Sequence, residues 1–266
     1  MAVRSALFNV MSAAAMKAAR GLKRDFGEVE QLQVSIKGPG DFVSSADLKA
    51  ERIIRTELEK GRPDFGFLME ESGASPGKDP RHRWIVDPLD GTTNFLHGIP
   101  HFAISIALER DGEMIAGLIY QPISDEMFWA EKGAGAYLND HRLRVSARRQ
   151  LGESLIGTGI PFRDHGDHPR YLRTLAALMS ATSGVRRMGV ASLDLAFVAA
   201  GRFDGYWEFG LKPWDIAAGL VLVREAGGTI GGFTAGDPID TGDIVVANGG
   251  LYEPLRRVLL ESIAGA

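Results

Sequence analysis

Apolar positions recur at helical spacing from the start of the chain: Val3, Leu7, Val10, Met11, Ala14, Ala18 and Leu22 share one helix face. Asn9 and Ser12 break the apolar run that a secretory leader needs, so this stretch reads as a folded amphipathic helix. Lys37-Gly-Pro-Gly-Asp41 reads as a loop. Ser44, with Asp47 three residues on, resembles a capping box; Leu48, Ile54 and Leu58 mark the buried face of the helix it opens. Gly61 and Pro63 stop that helix. Short apolar runs at 65–69 and 83–86 predict strands.

From 101 to 137 the pattern turns to β. Apolar runs at 102–108, 114–120 and 127–130 follow one another, with Asp111-Gly112 as a hairpin turn. The polar, basic stretch from Arg142 to Leu151 is the best internal boundary, dividing an N-terminal half, 1–145, from a C-terminal half, 146–266, within one compact unit. Beyond it, helical patterns at 169–179, 191–200, 213–225 and 251–263 alternate with strand-like runs at 155–157, 204–208 and 243–246. The expected fold class is α+β, with layered helices and sheets.

Composition narrows the functions. With 30 Lys+Arg against 34 Asp+Glu the net charge is −4, which argues against direct nucleic-acid binding by broad phosphate neutralisation. No membrane segment is apparent, and a cytoplasmic location is expected. There are no cysteines, so thiolate metal sites and disulfides are excluded. Any metal must be held by oxygen or imidazole, a donor set that suits hard cations such as magnesium.

The richest chemistry lies in Trp84-Ile-Val-Asp87-Pro-Leu-Asp90-Gly-Thr-Thr-Asn-Phe95. A strand delivers Asp87, Pro88 keeps it out of the α region, and the two aspartates are expected on a turn. Gly91 permits a sharp bend, after which Thr92, Thr93 and Asn94 can open a helix whose first N–H groups face an anion. Two neighbouring carboxylates repel unless a cation intervenes. Alone, Asp-Pro and Asp-Gly would equally suit a plain β-turn. Two more acidic sites weigh against that: Glu70-Glu71-Ser72 directly after a strand, and Asp215 in the first turn of the helix opened by Pro213.

Asp87-Pro-Leu-Asp90-Gly-Thr-Thr-Asn-Phe resembles the first signature of the inositol monophosphatases, and Trp214-Asp-Ile-Ala-Ala-Gly219 the second. Glu70-Glu71-Ser72 resembles that family's acidic loop. The matches occur in family order, with one departure: Met69 stands where Gly is commoner. The resemblance implies a layered αβαβα sandwich, usually dimeric, and a lithium-sensitive, Mg²⁺-dependent phosphomonoesterase. It implies that Glu70, Asp87 and the Leu89 carbonyl bind one Mg²⁺, that Asp87, Asp90 and Asp215 bind another, and that a third, weaker ion can join near Glu70. Thr92, with Glu70 and Asp47, would activate water. Substrate contacts would come from Glu70, Leu89, Asp90, Gly91, Thr92 and Asp215 at the phosphate, and from Glu208, Arg186 and the loop Gly189-Val190-Ala191 at the sugar. The substrate would be inositol monophosphate or another small phosphate: a sugar phosphate, histidinol phosphate or nucleotide 3′-phosphate. Some bacterial relatives suggest a protein partner in transcription.

Other motifs fail on context. Gly73-Ala-Ser75-Pro-Gly77 spells a nucleophile elbow, but Pro76, Gly77 and Pro80 forbid the following helix, so it reads as a surface loop. Gly77-Lys78 is followed by Asp79 where a phosphate-binding loop requires Ser or Thr. Gly227 to Gly232 follows a helix and reads as a turn. His97 and His101 read as turn or packing residues, and Arg142, Arg144, Arg148 and Arg149 as a solvated loop.

Overall fold

A computed structural model describes residues 4–28, 34–38, 41–162 and 166–264; of residues 34–44 it describes only the backbone. The first helix, α1 (Ala6–Phe26), starts where the Ser5 hydroxyl accepts the Phe8 N–H at 2.9 Å. It buries Met11, Ala14, Ala18 and Leu22 of the predicted stripe and adds Phe8, while Leu7 and Val10 are only half-buried and Val3 lies outside the described residues. Where a loop is expected near residue 40, β1 (Val34–Gly38) pairs antiparallel with β2 (Asp41–Ser44); residues 39 and 40 are outside the described set. Helix α2 (Ser45–Gly61) follows directly, and the Ser44 side chain of the expected capping box is likewise outside it.

The large sheet is assembled next, from β3 (Phe65–Met69), β4 (Gly73–Ser75), β5 (Asp79–Asp90), β6 (Ala103–Arg110), β7 (Glu113–Gln121), β8 (Glu126–Glu131), β9 (Gly135–Leu138) and β10 (His141–Arg142). Their spatial order is β10-β9-β8-β7-β6-β5-β3-β4, antiparallel except for the β3–β5 pair. The short helix α3 (Thr92–Leu96) leaves the end of β5. The predicted Asp111-Gly112 hairpin is present, with φ of 53° and 83°.

After Arg142 no strand forms until β11 (Leu155–Thr158). The remaining elements are α4 (His168–Ala181), β12 (Gly184–Arg186), α5 (Ala191–Ala199), β13 (Gly205–Glu208), α6 (Pro213–Glu225), β14 (Gly228–Gly231), α7 (Pro238–Thr241), β15 (Ile244–Asn248) and α8 (Tyr252–Ala264). They build a second sheet ordered β12-β11-β13-β15-β14. Two glycine-rich readings are corrected here. Gly228–Gly231 is not a turn but an edge strand paired with β15, and Gly73–Ser75 is not a loop but a short strand on β3. Backbone pairing at a sheet edge requires no large side chains, so composition alone points the wrong way.

Strand alternation divides the core into layers. Trp84 and Val86 face α1 and α2, whereas Ile85 between them faces α5 and α6. In the small sheet Tyr206 and Val246 face those same two helices, while Trp207 and Val245 face α4 and α8. The result is the expected αβαβα sandwich. α6, sealed between both sheets, buries every residue from Ile216 to Val223 and so shows no one-sided stripe.

Candidate active site

The acidic centre forms where β5 runs out. Asp87 and Asp90 are not on a turn, as expected, but on the last residues of the strand, where the register against β6 shifts between them. Such an irregularity re-aims side chains without ending the strand. Asp87 is 2% exposed and accepts the Leu89 N–H at 2.9 Å. Asp90 reaches across to the start of α5 and accepts the Ser192 N–H at 2.7 Å. Gly91 then turns the chain with φ +92°, and a Cβ there would meet Val190 Cγ2 at 2.7 Å. Thr92 opens α3, its hydroxyl donating to the Leu89 carbonyl at 2.9 Å with Asp47 Oδ2 at 3.4 Å.

Long-range hydrogen bonds bring the C-terminal elements to this point. Asn94 donates to the carbonyls of His101 at 2.9 Å and Met188 at 3.0 Å, tying α3 to the loop before α5. The Ser105 hydroxyl donates to the Trp214 carbonyl at 3.3 Å and seats the start of α6 on β6. Asp215 caps that helix, accepting the Lys212 N–H at 2.7 Å. Each of the three aspartates therefore has one oxygen fixed by a backbone amide.

Charge crowds the site. Burial raises the Asp87 carboxyl well above its ordinary range, and the charges of Glu70, Asp90, Asp215 and Asp47 raise it further. Asp90 is pushed up to about 6 by burial, against the opposing hydrogen bonds from Ser192. Asp215 is raised by burial and then by the charge of Asp90. Across the pocket Glu208, on β13, is raised to about 7 by burial; the Tyr206 hydroxyl, which donates to it, and the charge of Arg187 pull the other way. Gly159 permits that placement, since a Cβ there would lie 1.8 Å from Glu208 Oε1.

A cavity of about 220 Å³ connects these groups. Asp90, Gly91, Thr92 and Asp215 line it, together with Gly189, Val190, Ala191 and Glu208. Asp87 and Leu89 lie buried next to Asp90, with Asp47 beneath Thr92. Glu70 follows β3, its backbone N–H bonded to the Val86 carbonyl, and acts on Asp87 and Asp215 through its charge. Arg186 is not brought to the cavity: it ends β12, is exposed, and turns to the Val185 carbonyl. Its neighbour Arg187 lines the cavity instead, as do Gly159, Ile160 and Leu211. Adjacent residues leaving a strand point to opposite sides, a signal that could have separated the two arginines.

No three acidic or histidine side chains among the described residues stand close enough to form a finished ligand group. The fit to a hard cation rests on the donor set: buried carboxylates, a backbone carbonyl, no sulfur, and a negative charge that burial makes costly without a counter-ion.

A layered αβαβα core with carboxylates converging on a small polar cavity defines a metal-dependent phosphatase class. The comparisons with known proteins agree. A profile of the inositol monophosphatase family matches residues 4–265. The chain is 59% identical over 261 residues to an inositol-1-monophosphatase of Mesorhizobium japonicum, covering 98% of this chain and 97% of that one. It is 42% identical over 261 residues to Nus factor SuhB of Escherichia coli K12, covering 98% of each. The crystal structure of extragenic suppressor protein suhB from Bartonella henselae superimposes with a TM-score of 0.93 at 57% identity, covering 96% of this chain and 98% of that one. The chain belongs to the inositol monophosphatase family and is a phosphatase.

Proposed function

We propose that this phosphatase hydrolyses inositol monophosphate to inositol and inorganic phosphate with Mg²⁺. The observation that carries the reading is the meeting of Asp87 and Asp90 with Asp215, from the two halves of the chain, at a small cavity that Glu208 also lines. Glu70, Asp87 and the Leu89 carbonyl would hold one Mg²⁺, and Asp87, Asp90 and Asp215 a second, and a third, weaker ion would join near Glu70. When bound, the ions would acidify the attacking water and stabilise charge on the attacking and leaving oxygens.

The chain's own groups do the rest. The Thr92 hydroxyl, held between the Leu89 carbonyl and the Asp47 carboxylate, orients the water and passes its proton toward Asp47, with Glu70 as the neighbouring acid. The first N–H groups of α3 have no partner within the helix and face the phosphate. Glu208 accepts hydrogen bonds from inositol hydroxyls, Arg187 takes the position assigned to Arg186, and the backbone of Gly189–Ala191 closes the ring's edge.

No helix among the described residues is long and apolar enough to cross a membrane. We place the protein in the cytoplasm as a homodimer, the exposed Leu172 and Met179, one heptad apart on α4, offering an apolar face. It is not expected to bind nucleic acid directly.

The test is a phosphate-release screen with Mg²⁺ over inositol monophosphate, sugar phosphates, histidinol phosphate and nucleotide 3′-phosphates. Inositol monophosphate is expected to lead; a clear preference for another ester would reassign the substrate. The likeness to Nus factor SuhB favours a second role with a transcription protein. A pull-down of transcription proteins that survives Asp90→Asn would separate that role from catalysis.

A further inference from the structure

The loop between β12 and α5, residues 187–190, contributes Arg187, Gly189 and Val190 to the cavity lining. Little within the loop itself fixes its position. Gly189 bends it with φ +79°, and Val190 starts α5 without a side-chain cap. The Met188 side chain packs on the central core, but apolar packing is non-directional and leaves the height of the backbone loosely set. Among the described residues, one side-chain hydrogen bond reaches this loop: Asn94 Nδ2 donates to the Met188 carbonyl at 3.0 Å.

Asn94 belongs to α3, two residues beyond Thr92, and is 7% exposed. Its amide nitrogen carries two N–H groups and both are engaged, the second donating to the His101 carbonyl at 2.9 Å. Asparagines in turns commonly bond their own backbone two residues on. This one instead joins segments 7 and 94 residues away, one from each half of the chain. The same three segments are pressed together at Gly91, where a Cβ would meet Val190 Cγ2 at 2.7 Å and the His101 carbonyl oxygen at 3.2 Å. Close packing there leaves the loop no room to move inward, and the Asn94 amide keeps it from moving outward.

We propose that Asn94 is a positioning residue that sets the enzyme's alcohol specificity, its amide clamping the 187–190 loop at a fixed distance from the Thr92 segment. The proposal rests on the phosphatase reading, in which the loop meets the alcohol and Thr92 lies at the phosphate. Asn94 borders the cavity, yet both its N–H donors are taken up by protein carbonyls, so it acts through the loop and not on the reacting atoms. Chemistry at phosphorus depends on the carboxylates of β5 and α6, which the clamp does not touch. A ring alcohol that must meet the loop and the acidic centre at once depends on their spacing. A smaller alcohol does not.

The experiment compares the parental protein with Asn94→Ala and with Asn94→Leu, which removes both donors while keeping the volume. Inositol 1-phosphate and glycerol 2-phosphate are the substrates, and KM and kcat are measured separately. Loss of the clamp is expected to raise KM for inositol 1-phosphate about tenfold and to leave its kcat and both constants for glycerol 2-phosphate within about threefold, the scale of one buried hydrogen-bond partner left unpaired. A second readout is independent of activity. Arg186 and Arg187 are both exposed, so limited trypsin digestion reports on the loop directly. The parental protein is expected to resist cleavage after these two arginines, and both variants to be cut there first. Early cleavage at these sites in the parental protein, which needs no variant, would overturn the clamp. Equal losses on the two esters in both variants would reduce Asn94 to a purely structural role and also overturn it. A parental protein that releases no phosphate from inositol 1-phosphate would instead overturn the substrate reading, with the trypsin result still deciding whether the clamp exists.

Discussion

Asp90 has two duties that a single substitution separates. Its carboxylate accepts the Ser192 N–H, which holds α5 to β5, and it also lines the cavity. Asp90→Asn keeps the shape and an acceptor oxygen but removes a charge from a crowded acidic site. Turnover at saturating Mg²⁺ is expected to fall by at least about 100-fold, because even outer groups around a metal site matter by about 10–100-fold. The melting temperature in chelator is expected to hold or rise. Near-parental turnover would show that Asp90 holds no ion. Glu208 carries a pH signature of its own. Its carboxyl, raised to about 7 from an ordinary 4.5, binds its proton more tightly in the folded chain than in the unfolded one. The resulting penalty is absent below about 4.5, grows as pH rises, and is complete above about 7. Glu208→Gln is therefore expected to raise the melting temperature of the metal-free protein at pH 8 and to change it little at pH 4.5. Equal shifts at both pH values would contradict a buried, protonatable Glu208.

Among the elements, α5 and α6 decide whether the two sheets share one core. They cross where Gly219 meets Leu195, and a Cβ at Gly219 would lie 2.4 Å from Leu195 Cδ1. Gly219→Ala is expected to destabilise the fold by about 1–3 kcal/mol, since overpacked cores respond on that scale. For a chain of this size each kcal/mol lowers the melting temperature by about 2–4 °C. Calorimetry reads it directly, and an unchanged transition would mean that the helices separate freely. The same crossing sets the site, because α5 begins at the Asp90 contact and α6 begins at Asp215. Loss of activity is expected to accompany loss of stability in this variant.

For the whole molecule, lithium offers a test of the acidic centre as a unit. Li⁺ is small and hard like Mg²⁺ but carries half the charge. At the Asp87, Asp90 and Asp215 side of the centre it would hold the phosphate product without promoting another turnover. Inhibition by LiCl is expected to be uncompetitive with substrate, to grow with Mg²⁺, and to weaken in Asp215→Asn. NaCl at equal ionic strength is the control; superimposable curves for the two salts would reject the assignment of these three carboxylates to one ion.

Much of the molecule was legible in one dimension because its signals are local. The α1 stripe, the Asp111-Gly112 hairpin and the helix opened by Pro213 follow from periodicity, left-handed turn residues and first-turn proline, each settled within a few residues. The acidic motifs were legible because carboxylate chemistry and family resemblance act on residue identity. Tertiary structure alone decided the rest. Gly228–Gly231 is a strand only because β15 offers its edge, and Asp87 and Asp90 stay in a strand only because the register against β6 slips between them. Arg187 rather than Arg186 faces the cavity because a strand alternates its sides, and the phase of that alternation is set by the pairing of β12 with β11. The stacking of Tyr171 on Trp207 is further from any local signal, since one ring comes from α4 and the other from β13 and they meet only when α4 packs on the small sheet. Residue type and spacing specify what a short segment prefers; which segments share an edge, a face or a cavity depends on contacts made across the whole chain.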